Sequence, residues 1–572
     1  MASPIFPTWH LYLPKLVTVL REGYGARQFR ADLVAGLTVA IVALPLAMAL
    51  AIASGTSPEK GLHTAIIAGF LVSALGGSRV QIGGPTAAFI PVVFNVIERF
   101  GYGGLVLCTL LAGLILIAAG LLRVGALMRY MPQPVVTGFT AGIAVTIFLS
   151  QVKDALGLPI ERLPGEFLAR LHAYGQHLPG IDPVTLAMTA GCLALIVGLR
   201  RWRPAWPGFL LAVVAGSVVT ALATLPVATI GSVHGAIPSA LPSFSIPEIP
   251  FARTAELLPS ALTIAFLAGV ESLLSAVVAD GMTGGRHRSN CELVAQGIAN
   301  VGSALFAALP ATGAIARTAT NVRAGGRTPV AGMLHAGFLL LFMLVLAPLM
   351  AWVPLPALAA VLLVVAWNMS EIERFRHLMR APVGDRVVLL VTFGLTVAFD
   401  LTVAIQVGVV LAAFQFMHRM GEVVALETDV ELIDEDRDDL AGGAQPDQPD
   451  QRDLLPPGVA AFRISGPLFF AVANRLDTVL DQYPDRPALF ILRLRLVPLI
   501  DASGAQALTD FLDRCRRIGI GVILSGLQAQ PAGVLIAMGL NRHPALVGEA
   551  AGFPEAVALA RSHLGSMGPT TV

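Results

Sequence analysis

Two short hydrophobic segments, each broken by a proline, contain the residue types that could bind an anion. The first, Val80 to Phe89, reads VQIGGPTAAF, and the second, Ala308 to Arg317, reads ALPATGAIAR. In each, an extended stretch precedes a Gly/Pro break, and small residues follow that could begin a half-helix. A helix N-terminus presents unpaired N–H groups and about half a positive charge. Two such ends facing each other would form an anion pocket, and paired breaks of this kind mark substrate sites in transporters.

The candidate binding residues are mostly small and occupy the two half-helix starts: Thr86, Ala87, Ala88, Phe89, Ile315, Ala316 and Arg317. Small side chains let backbone N–H groups approach a ligand, so most of the expected contact is with the backbone. Arg317 falls about one turn into its half-helix, where it could contact an anion or pair with a carboxylate. The structural alternative is an arginine that binds carbonyls or extends to the membrane surface.

Glu271 is the only charged residue between Leu257 and Ala279, a stretch that is otherwise apolar enough to span a membrane. A carboxylate within a span is costly and is a functional candidate by default. It could change protonation as the site opens to either side, which predicts a role in proton coupling. The alternative is a structural hydrogen bond to a neighbouring helix.

The elements that carry these residues are predicted to be membrane helices. The chain has 572 residues, of which 55% are hydrophobic. Leu33–Ala53 contains no charge and is long enough to cross ~30 Å of hydrocarbon. We count about fourteen hydrophobic segments between residues 31 and 419. Arginines concentrate in alternate loops, which predicts cytoplasmic N- and C-termini. No basic run suggests nucleic acid, and the four scattered cysteines show no metal-binding spacing.

The two halves of this region look related. Pro85 and Pro310 lie 225 positions apart (310 − 85), and Leu37–Ala40 resembles Leu262–Ala265 at the same offset. Seven spans per half is an odd number, so the second copy must be inverted, as in secondary transporters. Chance similarity between apolar helices is the alternative. At this offset Glu271 corresponds to Leu46, so only one half carries the charge.

The predicted organisation has four parts. Residues 1–30 form a cytoplasmic N-terminal segment, and 31–420 form a transmembrane domain with repeats at about 31–225 and 255–420. Residues 421–458 form an acidic linker, and 459–572 a small α/β domain. In this last domain we predict strands at 459–464, 488–494 and 521–524, and helices at 470–480, 505–516 and 554–564. Asp501 and Ser503 lie at a strand-to-helix turn and are good N-cap types.

Four segments together resemble the sulfate permease (SulP) family, which is related to the animal solute-carrier anion exchangers, including pendrin and prestin. They are Ala43–Ala47, Gln81–Phe89, Val270–Asp280 and Gly313–Asn321. The C-terminal Asp501–Gly504 resembles the STAS domain that this family carries. The resemblance covers nearly the whole chain.

The resemblance implies an α-helical polytopic membrane protein with fourteen segments in two inverted repeats of seven. Segments three and ten would be strand plus half-helix. A core domain would move against a gate domain, elevator fashion, in a homodimer, and a cytoplasmic α/β STAS domain would follow.

The resemblance also implies roles for single residues. Glu271 matches the acidic residue tied to proton coupling in bacterial members, whereas sodium-coupled bicarbonate relatives tend to have Asp there. Arg317 matches a site-adjacent arginine, but Ala316 replaces the serine that usually precedes it. Leu46 stands where animal members often have Gln, so the pocket would be less polar. Ser503 matches a phosphorylated serine of bacterial anti-sigma-antagonist proteins, which suggests regulation.

We therefore expect a secondary active transporter of the bacterial inner membrane rather than an enzyme, with no cofactor. Its substrate would be a C4-dicarboxylate such as fumarate, sulfate or bicarbonate. The coupling ion would be H⁺, or alternatively Na⁺ in a bicarbonate importer. Its partners would be the lipid bilayer, a second copy of the chain and a cytoplasmic protein at the STAS domain. Two readings compete: a membrane anchor for a signalling STAS domain, and a nucleobase–proton symporter, which would use paired carboxylates and lack a STAS domain.

Overall fold

The computed structural model describes most of the chain: residues 11–126, 132–160, 163–164, 167–204, 206–235, 237–238, 244, 250–399, 401–423, 425–428, 455–469 and 487–566. The chain divides into two compact units, Met1–Ala412 and Ala413–Val572.

The first unit is helical. Its first half contains α1 (Lys15–Glu22), α2 (Ala26–Ala53), α3 (Pro58–Leu75), α4 (Ile90–Leu121), α5 (Gln133–Leu156), α6 (Phe167–His177), α7 (Pro183–Trp202), α8 (Gly208–Leu222) and α9 (Ile230–His234). Its second half contains α10 (Thr254–Thr283), α11 (Ser289–Leu305), α12 (Ile315–Arg323), α13 (Pro329–Met350), α14 (Leu355–Met369), α15 (Ile372–Leu378) and α16 (Val383–Ala398); α17 (Leu401–Val423) follows. Two short strands interrupt the helices, β1 (Gly83–Gly84) and β2 (Thr312–Gly313).

Seven helical stretches in the described residues are long and apolar enough to cross a membrane. They are Ala26–Ala53, Ala87–Leu121, Gln133–Leu156, Pro183–Trp202, Thr254–Thr283, Pro329–Met350 and Leu355–Leu378. Within Ala87–Leu121, Gly101 adopts a φ of 71°, which glycine takes readily, and kinks α4. The protein is thus a multi-pass membrane protein. The count of fourteen stays a prediction, because other apolar helices, such as Gly208–Leu222, are shorter.

The membrane helices pack in two groups. In one, α2 and α3 pack on α13, while α11 packs on α3 and α4, and α10 on α4 and α12. In the other, α5 packs on α14 and α16, and α7 packs on α8 and α14. We call these the core group and the gate group. Both strands and both proline breaks belong to the core group.

The second unit contains a five-stranded sheet in the order β3-β4-β5-β6-β7. The strands are β3 (Ala425–Thr428), β4 (Val459–Ser465), β5 (Leu489–Leu496), β6 (Gly521–Ser525) and β7 (Leu546–Ala550). Only β3 runs antiparallel to its neighbour. The helices are α18 (Ala502–Arg517), α19 (Ala529–Ala537) and α20 (Phe553–Ser566). The predicted α/β domain is confirmed.

Some elements of this unit differ from the prediction. The strands and helices predicted at 459–464, 488–494, 521–524, 505–516 and 554–564 are present. The prediction missed α19, which contains Pro531 and Gly533, and β7, which contains Gly548; these residues weaken the local signal. The linker prediction is wrong for residues 425–428, because they form β3. The helix predicted at 470–480 and the linker residues 429–454 lie outside the described residues.

Candidate functional site

The two proline breaks meet at a crossing of β1 and β2. The strands pair antiparallel, with Gly83 opposite Gly313 and Gly84 opposite Thr312. After β1 a short 3₁₀ helix, Ala87–Phe89, leads into α4, and α12 begins directly after β2. Antiparallel strands lead away in opposite directions, so the two half-helices leave the strand pair on opposite sides with their N-termini towards it. The predicted order of extended stretch, break and half-helix is confirmed in the first half. In the second half a strand and a half-helix are also present, but Pro310 precedes β2 instead of following it.

The side chain of Glu271, which belongs to α10, lies beside the start of the first half-helix. The Oγ1 of Thr86 donates a hydrogen bond of 2.9 Å to its Oε2. In the described part of the chain no other side chain hydrogen-bonds to this carboxylate. Both residues are half-buried. Thr86 immediately precedes the 3₁₀ helix, so the carboxylate of α10 is tied to the N-terminus where an anion could bind.

Arg317 projects from the first turn of α12 and is only 2% exposed. Its Nη2 donates to the carbonyl of Pro85 at 3.2 Å, and a Cβ on Gly84 would overlap its Nη1. Its Nε and Nη1 have no hydrogen-bond partner within the described residues. Within the described residues Arg317 forms no ion pair with Glu271, and its guanidinium contacts the carbonyl of Pro85. Contact of its remaining N–H groups with an anion stays a prediction.

The other candidates fall at the predicted places. Ala87, Ala88 and Phe89 are buried at the first half-helix start. Ile315 is 41% exposed, and Ala316 is also exposed, so solutes can reach the start of α12. Leu46 is half-buried on α2, which packs against α12. Their role in anion binding stays a prediction.

Ser503 lies in the second unit, exposed on the first turn of α18. Asp501 caps this helix by accepting a hydrogen bond of 2.7 Å from the N–H of Gly504. The N-cap prediction is confirmed for Asp501, and regulation at Ser503 stays a prediction.

Several buried polar residues of the core group have surroundings that the sequence does not indicate. The position of Glu292 near a span end predicts a place at the membrane interface. The residue is instead fully buried, and backbone N–H groups of Gly77 and Ser78 bind its carboxylate. The position of His335 in an apolar span predicts a core histidine whose ring nitrogens are hydrogen-bonded. It is buried, but neither ring nitrogen has a hydrogen-bond partner in the described part. Asp32 and Asn300, also fully buried, were missed.

Comparison with known proteins fits this architecture. A model of the sulfate permease family matches residues 29–392, and one of the STAS domain matches residues 455–549. The Bacillus subtilis (strain 168) protein YvdB, named as a sulfate transporter, is 40% identical over 522 residues, covering 91% of this chain and 95% of that protein. The bicarbonate transporter BicA of Picosynechococcus sp. is 30% identical, covering 85% of this chain and 87% of BicA.

A solved structure shows the same fold. The murine anion transporter Slc26a9, in its inward-facing state, superposes with a TM-score of 0.84 at 18% identity. The match covers 98% of this chain and 96% of that one. The match of the family model over most of the membrane unit, together with these relatives, identifies the chain as a member of the sulfate permease family with a C-terminal STAS domain.

Proposed function

We propose that this protein is a secondary active transporter that carries a small anion across a bacterial inner membrane. The observation that carries the proposal is the crossing of β1 and β2, which directs two half-helix N-termini at one place. Backbone N–H groups and the partial positive charge of both helix ends would hold the anion. The relatives named above as transporters of sulfate and bicarbonate support this class. Sulfate, bicarbonate and a C4-dicarboxylate such as fumarate are the candidate substrates.

Proton coupling would follow from the position of Glu271. An ionised carboxylate at the start of the first half-helix repels an anion bound there, and the repulsion is strong where water is excluded. A proton on Glu271 removes this repulsion, so anion and proton each favour binding of the other. Thr86 would support both states, since its hydroxyl can donate to the carboxylate or accept from the acid.

The movement would be of the core group against the gate group. All the candidate residues of the membrane unit lie on core-group elements, so the site could travel as one piece past α5, α14 and α16. Assembly as a homodimer and a cytoplasmic location of both termini are part of the proposal. An importer driven by Na⁺ is the second candidate, and the 30% identity with BicA favours bicarbonate as its substrate.

The test is uptake of labelled sulfate, bicarbonate and fumarate into proteoliposomes under an inward proton gradient and, separately, a sodium gradient. We expect proton-driven accumulation of one of them. In Glu271→Gln, accumulation should be lost while anion exchange between the two sides persists, because the amide binds no proton but leaves the pocket in place. Glu256→Gln is the matched control, since Glu256 lies on the same helix in an exposed pair with Arg253.

Other results would decide against parts of the proposal. Proton-driven accumulation by Glu271→Gln at the wild-type rate would remove the coupling role of Glu271. Sodium-driven bicarbonate uptake would show that the coupling ion is Na⁺ and not H⁺, and the proposed anion site would stand. If no anion moved in either gradient or by exchange, the membrane unit would be better explained as an anchor for the STAS domain.

A further inference from the structure

Three fully buried polar residues line one face of α11. Glu292, Gln296 and Asn300 are spaced by four residues, and none is exposed to solvent. The Nε2 of Gln296 donates to Oε1 of Glu292 at 3.1 Å, and the Nδ2 of Asn300 donates to the carbonyl of Gln296 at 2.8 Å. We call these three residues the polar ladder. Burying such a row in an apolar helix costs desolvation, which hydrogen bonds offset. Within the described residues the Oε1 of Gln296 is its one side-chain polar atom without a partner.

One end of the polar ladder holds the approach to β1. The Oε2 of Glu292 accepts hydrogen bonds from the backbone N–H groups of Gly77 at 2.8 Å and Ser78 at 3.2 Å. These residues connect α3 to β1. A Cβ on Gly77 would lie 3.1 Å from the backbone nitrogen of Glu292, so this loop packs closely against α11.

The same carboxylate also reaches the turn of α10 that carries Glu271. Its Oε1 accepts a hydrogen bond of 3.3 Å from the Oγ of Ser272, the next residue after Glu271. Gln81, just before β1, donates from Nε2 to the Oγ of Ser272 at 2.7 Å and to its carbonyl at 3.1 Å. Glu292 is therefore connected to both partners of the Thr86–Glu271 hydrogen bond: to β1, which leads to Thr86, and to the turn that bears Glu271.

The other end of the polar ladder holds β2. The side-chain amide of Asn300 binds both backbone groups of Ala311, donating to its carbonyl and accepting from its N–H, each at 2.9 Å. Ala311 immediately precedes β2. The Oγ1 of Thr312, in β2, donates to the carbonyl of Ala268 on α10 at 2.8 Å. One helix face thus contacts the approach to each of the two crossing strands.

We propose that the polar ladder positions the two half-helix N-termini relative to each other and to Glu271, and that Glu292 and Asn300 are positioning residues for anion transport. The effect on transport rests on the proposed function above. Glu292 differs from Glu271 in its surroundings. Within the described residues four donors bind the two oxygens of Glu292, whereas the carboxylate of Glu271 has one such partner.

Amide hydrogen exchange in the purified full-length protein tests the positioning directly, without reference to transport. In Glu292→Ala we expect faster exchange at 82–84 as well as at the directly bonded Gly77 and Ser78. In Asn300→Ala we expect faster exchange at residues 311–314. Asp32→Asn is the matched control, because this buried carboxylate of α2 also accepts from two backbone N–H groups, those of Arg327 and Thr328, away from the strands. It should leave exchange in both strands unchanged.

A double-mutant cycle tests the consequence for transport. Thr86→Val removes the hydroxyl that binds Glu271, and we expect it to lower proton-driven uptake by about tenfold in the wild-type background. When Thr86→Val is added to Glu292→Ala, uptake should fall further by less than about twofold, because Thr86 and Glu271 would no longer be held together. When Thr86→Val is added to Asp32→Asn, uptake should fall by the same factor of about ten as in the wild-type background. Glu292→Gln, which keeps one acceptor oxygen, repeats the cycle should the alanine variant fail to fold.

The outcomes separate this inference from the proposed function. Unchanged exchange at 82–84 in both Glu292 variants, or additive effects with Thr86→Val, would overturn the positioning role. If the wild type moves none of the three anions, the proposed function fails, and the exchange experiment alone decides whether the polar ladder holds the strands.

Discussion

Gly84 lies in β1 where a larger residue cannot fit beside Arg317. Its φ of 151° is one that L-residues rarely adopt, and an added Cβ would overlap Nη1 of the guanidinium. We expect Gly84→Ala to displace Arg317 from the carbonyl of Pro85 and to abolish anion uptake. The apparent melting temperature in detergent should fall as well, since overpacking of this kind costs about 1–3 kcal/mol.

The control for this change is Gly337→Ala on α13, where an added Cβ meets nothing within 4 Å. Arg317→Ala removes the atom that the new methyl would overlap. Gly84→Ala should therefore lower the melting temperature of the Arg317→Ala variant less than it lowers that of the wild type. If Gly84→Ala were as stable and as active as Gly337→Ala, the guanidinium would not be held where the structure has it.

For single residues, the sequence indicates those whose type is unusual for their surroundings. It does not indicate those whose role depends on contacts with distant parts of the chain. Glu271 was predictable, because it is a lone charge in an apolar span. Its partner Thr86 was only one of seven residues at the half-helix starts, and the hydrogen bond between them joins positions 185 apart in the chain. Glu292 looked interfacial because it lies near the start of α11, and only the N–H groups of Gly77 and Ser78 explain its burial.

At the scale of elements, the paired proline breaks predicted two extended stretches with half-helices. The pairing between them was not predictable, since the register of Gly83 with Gly313 depends on how α3, α10 and α11 pack. The polar ladder did leave a signal in the sequence. Polar residues at 292, 296 and 300 fall on one face of a helix that is otherwise rich in alanine, valine and leucine.

The helix that bears the polar ladder packs against α4 through two glycines. A Cβ on Gly297 would lie 2.6 Å from the carbonyl oxygen of Gly113, and one on Gly113 would lie 2.7 Å from that of Gly297. Neither overlap can be relieved by a side-chain rotation, because the opposing atoms are backbone. We expect Gly297→Ala to force α11 from α4 and to lower the melting temperature by several degrees, at a cost of roughly 1–3 kcal/mol.

Gly191→Ala on α7 is the matched change, because a Cβ there meets nothing within 4 Å. Alanine favours a helix by up to about 1 kcal/mol over glycine, so this variant should be as stable as the wild type or slightly more stable. Equal melting temperatures for the two variants would mean that α11 and α4 can separate without cost, which the backbone contacts do not allow.

At the scale of the whole molecule, the change in composition after residue 420 correctly indicated a second folded unit. Its exact start was not predictable, because the acidic residues around 421–439 suggest a solvated linker while the first strand lies among them. Hydrogen bonding to β4, some thirty residues later, is what makes 425–428 a strand: Ala425 pairs with Ser465 and Thr428 with Phe462.

The placement of β3 predicts where the STAS unit can be separated from the membrane unit. A fragment of residues 424–572 keeps β3 and with it a covered edge on β4. A fragment of residues 455–572 leaves the backbone N–H and C=O groups on that edge of β4 unpaired, which invites pairing with another chain. We expect 424–572 to be monomeric in size-exclusion chromatography with light scattering, and 455–572 to self-associate and to melt at a lower temperature.

A substitution within the longer fragment distinguishes the effect of β3 from the effect of fragment length. Leu426→Pro removes a backbone donor from β3 and disfavours its pairing with β4, while the rest of the segment stays. This variant should behave like 455–572. If it were monomeric and as stable as the unsubstituted 424–572, the edge of β4 would need no cover, and β3 would be dispensable to the STAS fold.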